Sequence, residues 1–135
     1  MALVTWDSSY RVNVKSCDDE HQKLFALIND LHAAMKFGKG RAVLADIVRE
    51  LEKYTQTHFL AEEALLKRAQ YPKLNEHRVQ HGEFVARVQQ FRDDVEMGVG
   101  GDSVAVLTFL RDWLAKHIKQ ADKMYSQHLN SHGVD

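Results

Sequence analysis

The sequence predicts an all-α chain folded as an antiparallel up-down-up-down four-helix bundle with an extended N-terminal arm. Three observations carry this expectation. Apolar residues recur at the i, i+3, i+4, i+7 spacing of one helix face rather than alternating. Chain breakers are few and mostly clustered, with one proline and seven glycines in 135 residues. The breaks leave only short connections between long periodic segments, which favours antiparallel neighbours.

Residues 1–17 have weak periodicity (Trp6, Tyr10, Val12, Val14) and read as an apolar arm packed across the bundle. The first helix is expected near 18–37, with Leu24, Ile28, Leu31 and Met35 on its inner face. Ser16 or Asp18 can cap it, a side-chain oxygen accepting an orphan backbone N–H. Gly38 and Gly40 end it, and a second helix follows near 41–69 with Leu44, Ile47, Leu51 and Tyr54 inward. Tyr71-Pro72 makes the next break, because a residue before proline is pushed out of the helical region. The third helix, near 74–97, carries Phe84, Val88, Phe91 and Val95. Gly98, Gly100 and Gly101 precede the fourth, near 103–130, with Val106, Leu110 and Trp113 and with Asp102 or Ser103 as cap. No linker or internal repeat divides the chain, so residues 1–135 read as a single domain.

Composition removes several function classes. Eighteen Lys and Arg against nineteen Asp and Glu leave a net charge of -1, so neither nucleic acid nor an anionic membrane is an expected partner. No apolar run approaches the ~20 residues of a membrane span, and Asp7 and Arg11 interrupt anything like a signal peptide, so the expected location is cytoplasmic. Cys17, the one cysteine, excludes an internal disulfide, thiolate clusters and covalent haem attachment. The abnormal count is eight histidines.

Five of these extend the apolar stripes. His21 precedes Leu24 and Ile28, His58 follows Leu51 and Tyr54, His77 and His81 run into Phe84 and Val88, and His117 follows Leu110 and Trp113. Glu62 lies one turn beyond His58, and Asp122 lies five residues beyond His117. In an up-down-up-down bundle the first turns of helices one and three lie beside the later parts of helices two and four. At about 1.5 Å rise per residue, all seven groups therefore fall in the same half of the bundle. Isolated there, each would cost on the order of several kcal/mol to bury, a cost a metal removes by taking neutral imidazoles and carboxylates as ligands.

Five imidazoles and two carboxylates are too many for one zinc ion. The His77–His81 spacing lacks the glutamate of a zinc protease helix, since Arg78 stands in its place. Imidazole donors exclude hard all-oxygen ions, whereas iron, zinc, copper and nickel accept them. Two carboxylates able to bridge point to a dinuclear centre, with iron expected. Two octahedral ions have twelve positions between them; five ring nitrogens, two bridging carboxylates and one bridging oxygen leave one open, which suits a diatomic ligand. His117 and Asp122, five apart, stand about 140° apart on an ideal helix. Their convergence predicts a local widening of helix four into π form.

These residues are arranged as in the hemerythrin family, and the chain resembles its stand-alone bacterial members. The resemblance runs from W-D-x-x-Y at Trp6–Tyr10 and D-x-x-H at Asp18–His21 to H-F-x-x-E-E at His58–Glu63. It continues through Y-P-x-x-x-x-H-x-x-x-H-x-x-F at Tyr71–Phe84 and W-L-x-x-H-I-x-x-x-D at Trp113–Asp122. It implies two non-haem irons with a bridging oxo or hydroxo oxygen and dioxygen as ligand. His77, His81 and His117 would sit on the saturated iron, His21 and His58 on the open one, with Glu62 and Asp122 bridging. It further implies an apolar oxygen pocket of Leu24, Phe59, Trp113, Leu114 and Ile118, with Tyr125 beside it. Cys17, where an aliphatic residue is usual, and Glu20, where glutamine is common, depart from the pattern without removing a ligand.

The implied function is reversible dioxygen binding by a carrier, store or supplier and not an enzyme. The alternatives are a di-iron enzyme of peroxidase, nitric-oxide or ferroxidase type and an oxygen sensor acting through a partner. With the chain ending soon after helix four, no fused output domain is expected. The expected partners are dioxygen and an oxygen-consuming enzyme or redox protein, and the expected state is a monomer or weak homo-oligomer. Glu63 is expected to be solvated or to support a ligand, Cys17 to be a small apolar filler, and His32, His128 and His132 to face solvent.

Overall fold

A computed structural model describes residues 3–97 and 103–135, the Arg41 side chain excepted. Four long helices form the bundle. Helix α1 is Lys15–Lys36. Helix α2 runs through Gly40–Tyr54, a π-form segment Thr55–Phe59 and Leu60–Arg68. Helix α3 is Leu74–Glu96. Helix α4 runs through Ser103–Trp113, a π-form segment Leu114–Asp122 and Lys123–Ser131. Described residues include no strand, and no helix among them is long and apolar enough to cross a membrane.

The connections follow local chemistry. At the end of α1, Gly38 adopts φ +70, Lys39 N–H donates to Ala34 O at 2.7 Å and Gly38 N–H to Met35 O at 3.1 Å. This is the Schellman closure, in which a left-handed residue turns the chain back over the last orphan carbonyls. Gln70, at φ 55, does the same for α2, with Tyr71 N–H donating to Leu66 O at 2.9 Å. Gly40 matters for a different reason. A Cβ there would stand 2.7 Å from Met35 Cγ and 2.9 Å from Ser103 Oγ, so side chains of α1 and α4 would have to shift to admit one.

The predicted start of α1 needs correction. The helix begins at Lys15, inside the expected arm, and its N-cap is Val14 with no side-chain cap. Asp18 instead reaches back to accept the N–H of Val12 at 2.8 Å, so its carboxylate fastens the arm to the helix. For α4, Ser103 is the first helical residue, and Asp102 and the three glycines before it lie outside the described residues.

The arm packs as expected. Trp6 and Tyr10 meet Phe25 edge-on at 5.2 and 4.7 Å. Asn29 clips the start of the arm, accepting from Leu3 and Val4 N–H and donating to Val4 O. Lys119, on the π segment of α4, lies over the Tyr10 ring at 5.1 Å. Two apolar clusters result. The larger fills the bundle from Leu31 and Leu44 to Leu114 and Ile118; the smaller gathers Val12, Val14, Cys17, Leu66, Tyr125 and Leu129. The polar residues described next lie among these apolar side chains.

Candidate metal centre

All seven predicted donors converge, and each is at most 3% exposed. Helix α1 supplies His21 from its second turn, α2 supplies His58 and Glu62, α3 supplies His77 and His81, and α4 supplies His117 and Asp122. His77 and His81 share a face because residues four apart stack on an α-helix. His117 and Asp122 share one because their segment is π-form, where the repeat is five. The widening predicted for α4 is therefore present. The π segment at Thr55–Phe59 has no counterpart in the sequence reading. Thr55 and Thr57 there turn their hydroxyls back onto the carbonyls of Glu52, at 2.7 Å, and Lys53, at 3.0 Å. Such back-bonding loosens and bends a helix.

The two carboxylates organise the site. Glu62 Oε1 lies 2.7 Å from His77 Nε2 and 3.0 Å from His81 Nε2. Its other oxygen, Oε2, lies 3.1 Å from His58 Nε2 and 3.4 Å from His21 Nε2. Asp122 Oδ1 faces His77 at 2.7 Å and His117 at 2.9 Å, while Oδ2 faces His21 at 3.1 Å. Each carboxylate thus turns one oxygen toward a three-imidazole group and the other toward a two-imidazole group.

Several of these close atoms are not hydrogen-bonded. His21 Nε2, His117 Nε2 and Asp122 Oδ1 are buried and make no hydrogen bond, despite separations near 3 Å. Donor atoms that crowd together without pairing are aimed at a common point, as ligands are. Glu62, His77, His81, His117 and Asp122 offer one such group of atoms within 4.8 Å of one another, and His21, His58 and Glu62 offer a second. The donor set fits a pair of borderline transition-metal ions.

Electrostatics balance the metal-free site. Burial opposes a charge on His21 and His77, but Asp122 and Glu62 outweigh it and raise both to about 10. Burial likewise opposes the Glu62 and Asp122 carboxylates, yet the surrounding imidazoles hold both well below the usual range. His117 goes the other way, burial lowering it despite Asp122. The raised His21 and His77 imidazoles thus offset the two buried carboxylates.

The five predicted pocket residues are all buried in the larger cluster: Leu24, Phe59, Trp113, Leu114 and Ile118. Phe59 lies parallel to the His81 ring at 3.9 Å, and Trp113 lies nearly parallel to His117 at the same distance. These two aromatics hold the imidazole planes of His81 and His117 in place.

Three supporting contacts escaped the sequence reading. Tyr125, expected only beside the pocket, donates its hydroxyl to Glu62 Oε2 at 2.9 Å. Gln80 Oε1 lies 2.6 Å from His117 Nδ1, and Tyr54 stacks on His58 at 5.0 Å. The signals were present but weak: Tyr125 stands three residues past Asp122, and Tyr54 four before His58. Glu63 reaches His81, with Oε2 2.8 Å from its Nδ1. Cys17 is buried as expected, and burial followed by the Glu62 charge pushes its thiol up to about 12. His128 is a correction. It is half-buried and its Nε2 donates to Ala69 O at 2.6 Å, tying the end of α4 to the end of α2, while His132 is exposed and His32 half-buried.

The model of the hemerythrin HHE cation binding domain matches residues 12–129. A bacteriohemerythrin of Stenotrophomonas maltophilia is 31% identical over 133 residues, covering 98% of this chain and 85% of that protein. One from Pseudomonas aeruginosa is 33% identical over 126 residues, covering 93% and 80%. Myohemerythrin-1 of Phascolopsis gouldii is 31% identical, covering 89% of each chain. A crystal structure of wild-type hemerythrin superposes with a TM-score of 0.85 at 29% identity, covering 95% of this chain and 98% of that one.

Proposed function

The chain belongs to the hemerythrin family, and on that footing we propose that it binds dioxygen reversibly at two non-haem iron ions. The observation that carries this reading is the division of labour at the carboxylates. Glu62 and Asp122 each present one oxygen to His77 with His81 or His117, and the other to His21, with or without His58. That is how two bridging carboxylates would hold two ions, one by three imidazoles and one by two. His21 and His58 alone would leave their ion a position for a diatomic ligand. Held by these residues, an iron pair would supply the electrons and an open coordination position for dioxygen.

The chain's own residues then decide between release and irreversible oxidation. Leu24, Leu114 and Ile118 close the interior with hydrocarbon at 2% exposure or less. A dry, apolar surrounding withholds the water and protons that would strip a bound ligand away in reduced form. Phe59 and Trp113 fix two imidazole planes, and Tyr125 fixes one oxygen of Glu62, so the donors stay in place between cycles.

The test is iron quantification with a visible spectrum taken under argon, in oxygen and under argon again. Two irons per chain and a spectrum that returns over repeated cycles are expected. One metal per chain, stoichiometric zinc, or irreversible oxidation within one cycle would refute the reading, and the last result would favour the enzyme alternative.

A further inference from the structure

The five imidazoles differ in what holds their outer nitrogens. His81 Nδ1 is 2.8 Å from a carboxylate oxygen, Glu63 Oε2. His117 Nδ1 is 2.6 Å from an amide oxygen, Gln80 Oε1. His21 Nδ1 is buried with no partner. The three-imidazole group therefore has outer acceptors, one of them charged, while His21 in the two-imidazole group has none.

We propose that Glu63 is a positioning residue that makes His81 a stronger donor than His117 or His21 and so sets the potential of the ion held by His77, His81 and His117. The inference rests on the metal reading above. Glu62 and Glu63 are consecutive on α2, about 100° apart around the helix. Glu62 consequently points into the bundle while Glu63 runs along its flank, and the two reach opposite nitrogens of one ring. Glu62 Oε1 lies 3.0 Å from Nε2 and Glu63 Oε2 lies 2.8 Å from Nδ1. Phe59, parallel to the ring at 3.9 Å, prevents it from rotating away from either.

A carboxylate accepting the Nδ1 proton fixes the tautomer that leaves the Nε2 lone pair facing inward. It also draws that N–H toward itself and raises the basicity of the ring as a ligand. A more basic ligand stabilises the more highly charged ion more, so the potential falls. Arg78 moderates the effect. Its Nε donates to the other Glu63 oxygen at 3.2 Å and draws off part of the charge. Glu63 keeps 20% of its side chain exposed and Arg78 keeps 45%, so both can be changed with little disturbance of the core.

The sign of the effect separates this role from a structural one. The experiment compares iron-loaded wild type with Glu63→Gln, Glu63→Leu and Arg78→Gln. It measures the midpoint potential, the rate of iron removal by a ferrous chelator, and the melting of each metal-free protein. Glu63→Gln keeps an oxygen acceptor without the charge, and Glu63→Leu removes both. The potential should rise in the order wild type, Gln, Leu. Reaching tenfold weaker relative binding of ferric iron corresponds to about 59 mV for one electron. Iron removal should quicken by about 10-fold, the lower end for a lost ligand partner. Arg78→Gln should move the potential the opposite way, while metal-free melting stays within a few degrees throughout.

A second readout needs no iron. In zinc-loaded protein the ¹⁵N resonance of His81 Nδ1 should move in Glu63→Leu while that of His117 stays. Variants that load two irons with wild-type potential and release rate would overturn this inference alone. A wild-type protein that loads no iron pair would overturn the metal reading and this inference with it.

Discussion

Removing a single oxygen atom by Tyr125→Phe should destabilise the metal-free protein by about 2 kcal/mol. The Tyr125 side chain is fully buried, and its hydroxyl donates to Glu62 Oε2 at 2.9 Å. Burial, then the Glu62 and Asp122 charges, raise the phenol well above its usual value, so it stays protonated and remains a donor. A hydrogen bond to a charged group contributes about 1.5–3 kcal/mol. The lower half of that range applies because Oε2 keeps His58 at 3.1 Å and His21 at 3.4 Å. The phenyl ring would still meet Tyr71 and His77, so no cavity beyond the lost oxygen opens. At roughly 3 °C per kcal/mol for a chain of this size, melting should fall by about 6 °C. Thermal and urea unfolding of metal-free protein would measure it, and the iron-loaded variant should show a shifted visible spectrum as Glu62 loses a tether. A loss under about 0.5 kcal/mol would show that Glu62 does not depend on this phenol.

Metal-free stability should peak near pH 6.5 and fall on both sides. His21 and His77 are raised from 6.5 to about 10, so their contribution is complete below 6.5 and lost as pH climbs through 10. Glu62 and Asp122 are lowered from 4.5 and 3.8, so theirs is lost as pH falls below those values, and His117, lowered from 6.5, also costs stability in acid. A melting temperature that is flat from pH 6.5 to 10 would contradict the pairing. Leu114→Ala, at a side chain 2% exposed, should cost about 2–5 kcal/mol and quicken oxidation of the reduced protein in air while leaving iron content unchanged. Unaltered oxidation kinetics would remove Leu114 from the list of residues that keep the site dry.

Helix number, order and inner faces were legible because each depends on spacing alone, and the donors because five histidines and Glu62 continue apolar stripes at one height, with Asp122 five residues past His117. What escaped depends on side chains that reach sideways. Asp18 reads as a cap, yet it binds Val12 N–H because the arm folds back over it. His128 reads as solvent-facing, yet the end of α2 delivers the Ala69 carbonyl beside it. Gln80 and Tyr125 occupy ordinary positions, and their partners on neighbouring helices become known only once the helices are packed. The π segment of α4 was legible because two converging donors five residues apart demand it; that of α2 was not, since His58 and Glu62 are four apart and an ordinary helix would already align them.

That difference bears on what the two π segments do. In α4 the widened turn brings His117 and Asp122 onto one face, so the backbone distortion is tied directly to the donor pair. In α2 the segment ends at Phe59, just after His58 and before Glu62, so it turns the upper half of the helix relative to the lower. Leu44, Ile47 and Leu51 below it face the apolar core, while Glu62 and Leu66 above it are buried at the donor end. A π-form turn costs hydrogen-bond geometry, and such turns persist mostly at functional sites. Each here lies where an apolar stripe gives way to a polar cluster. The distortion is thus a consequence of asking one helix to serve a hydrocarbon core along half its length and a fixed set of donors along the other.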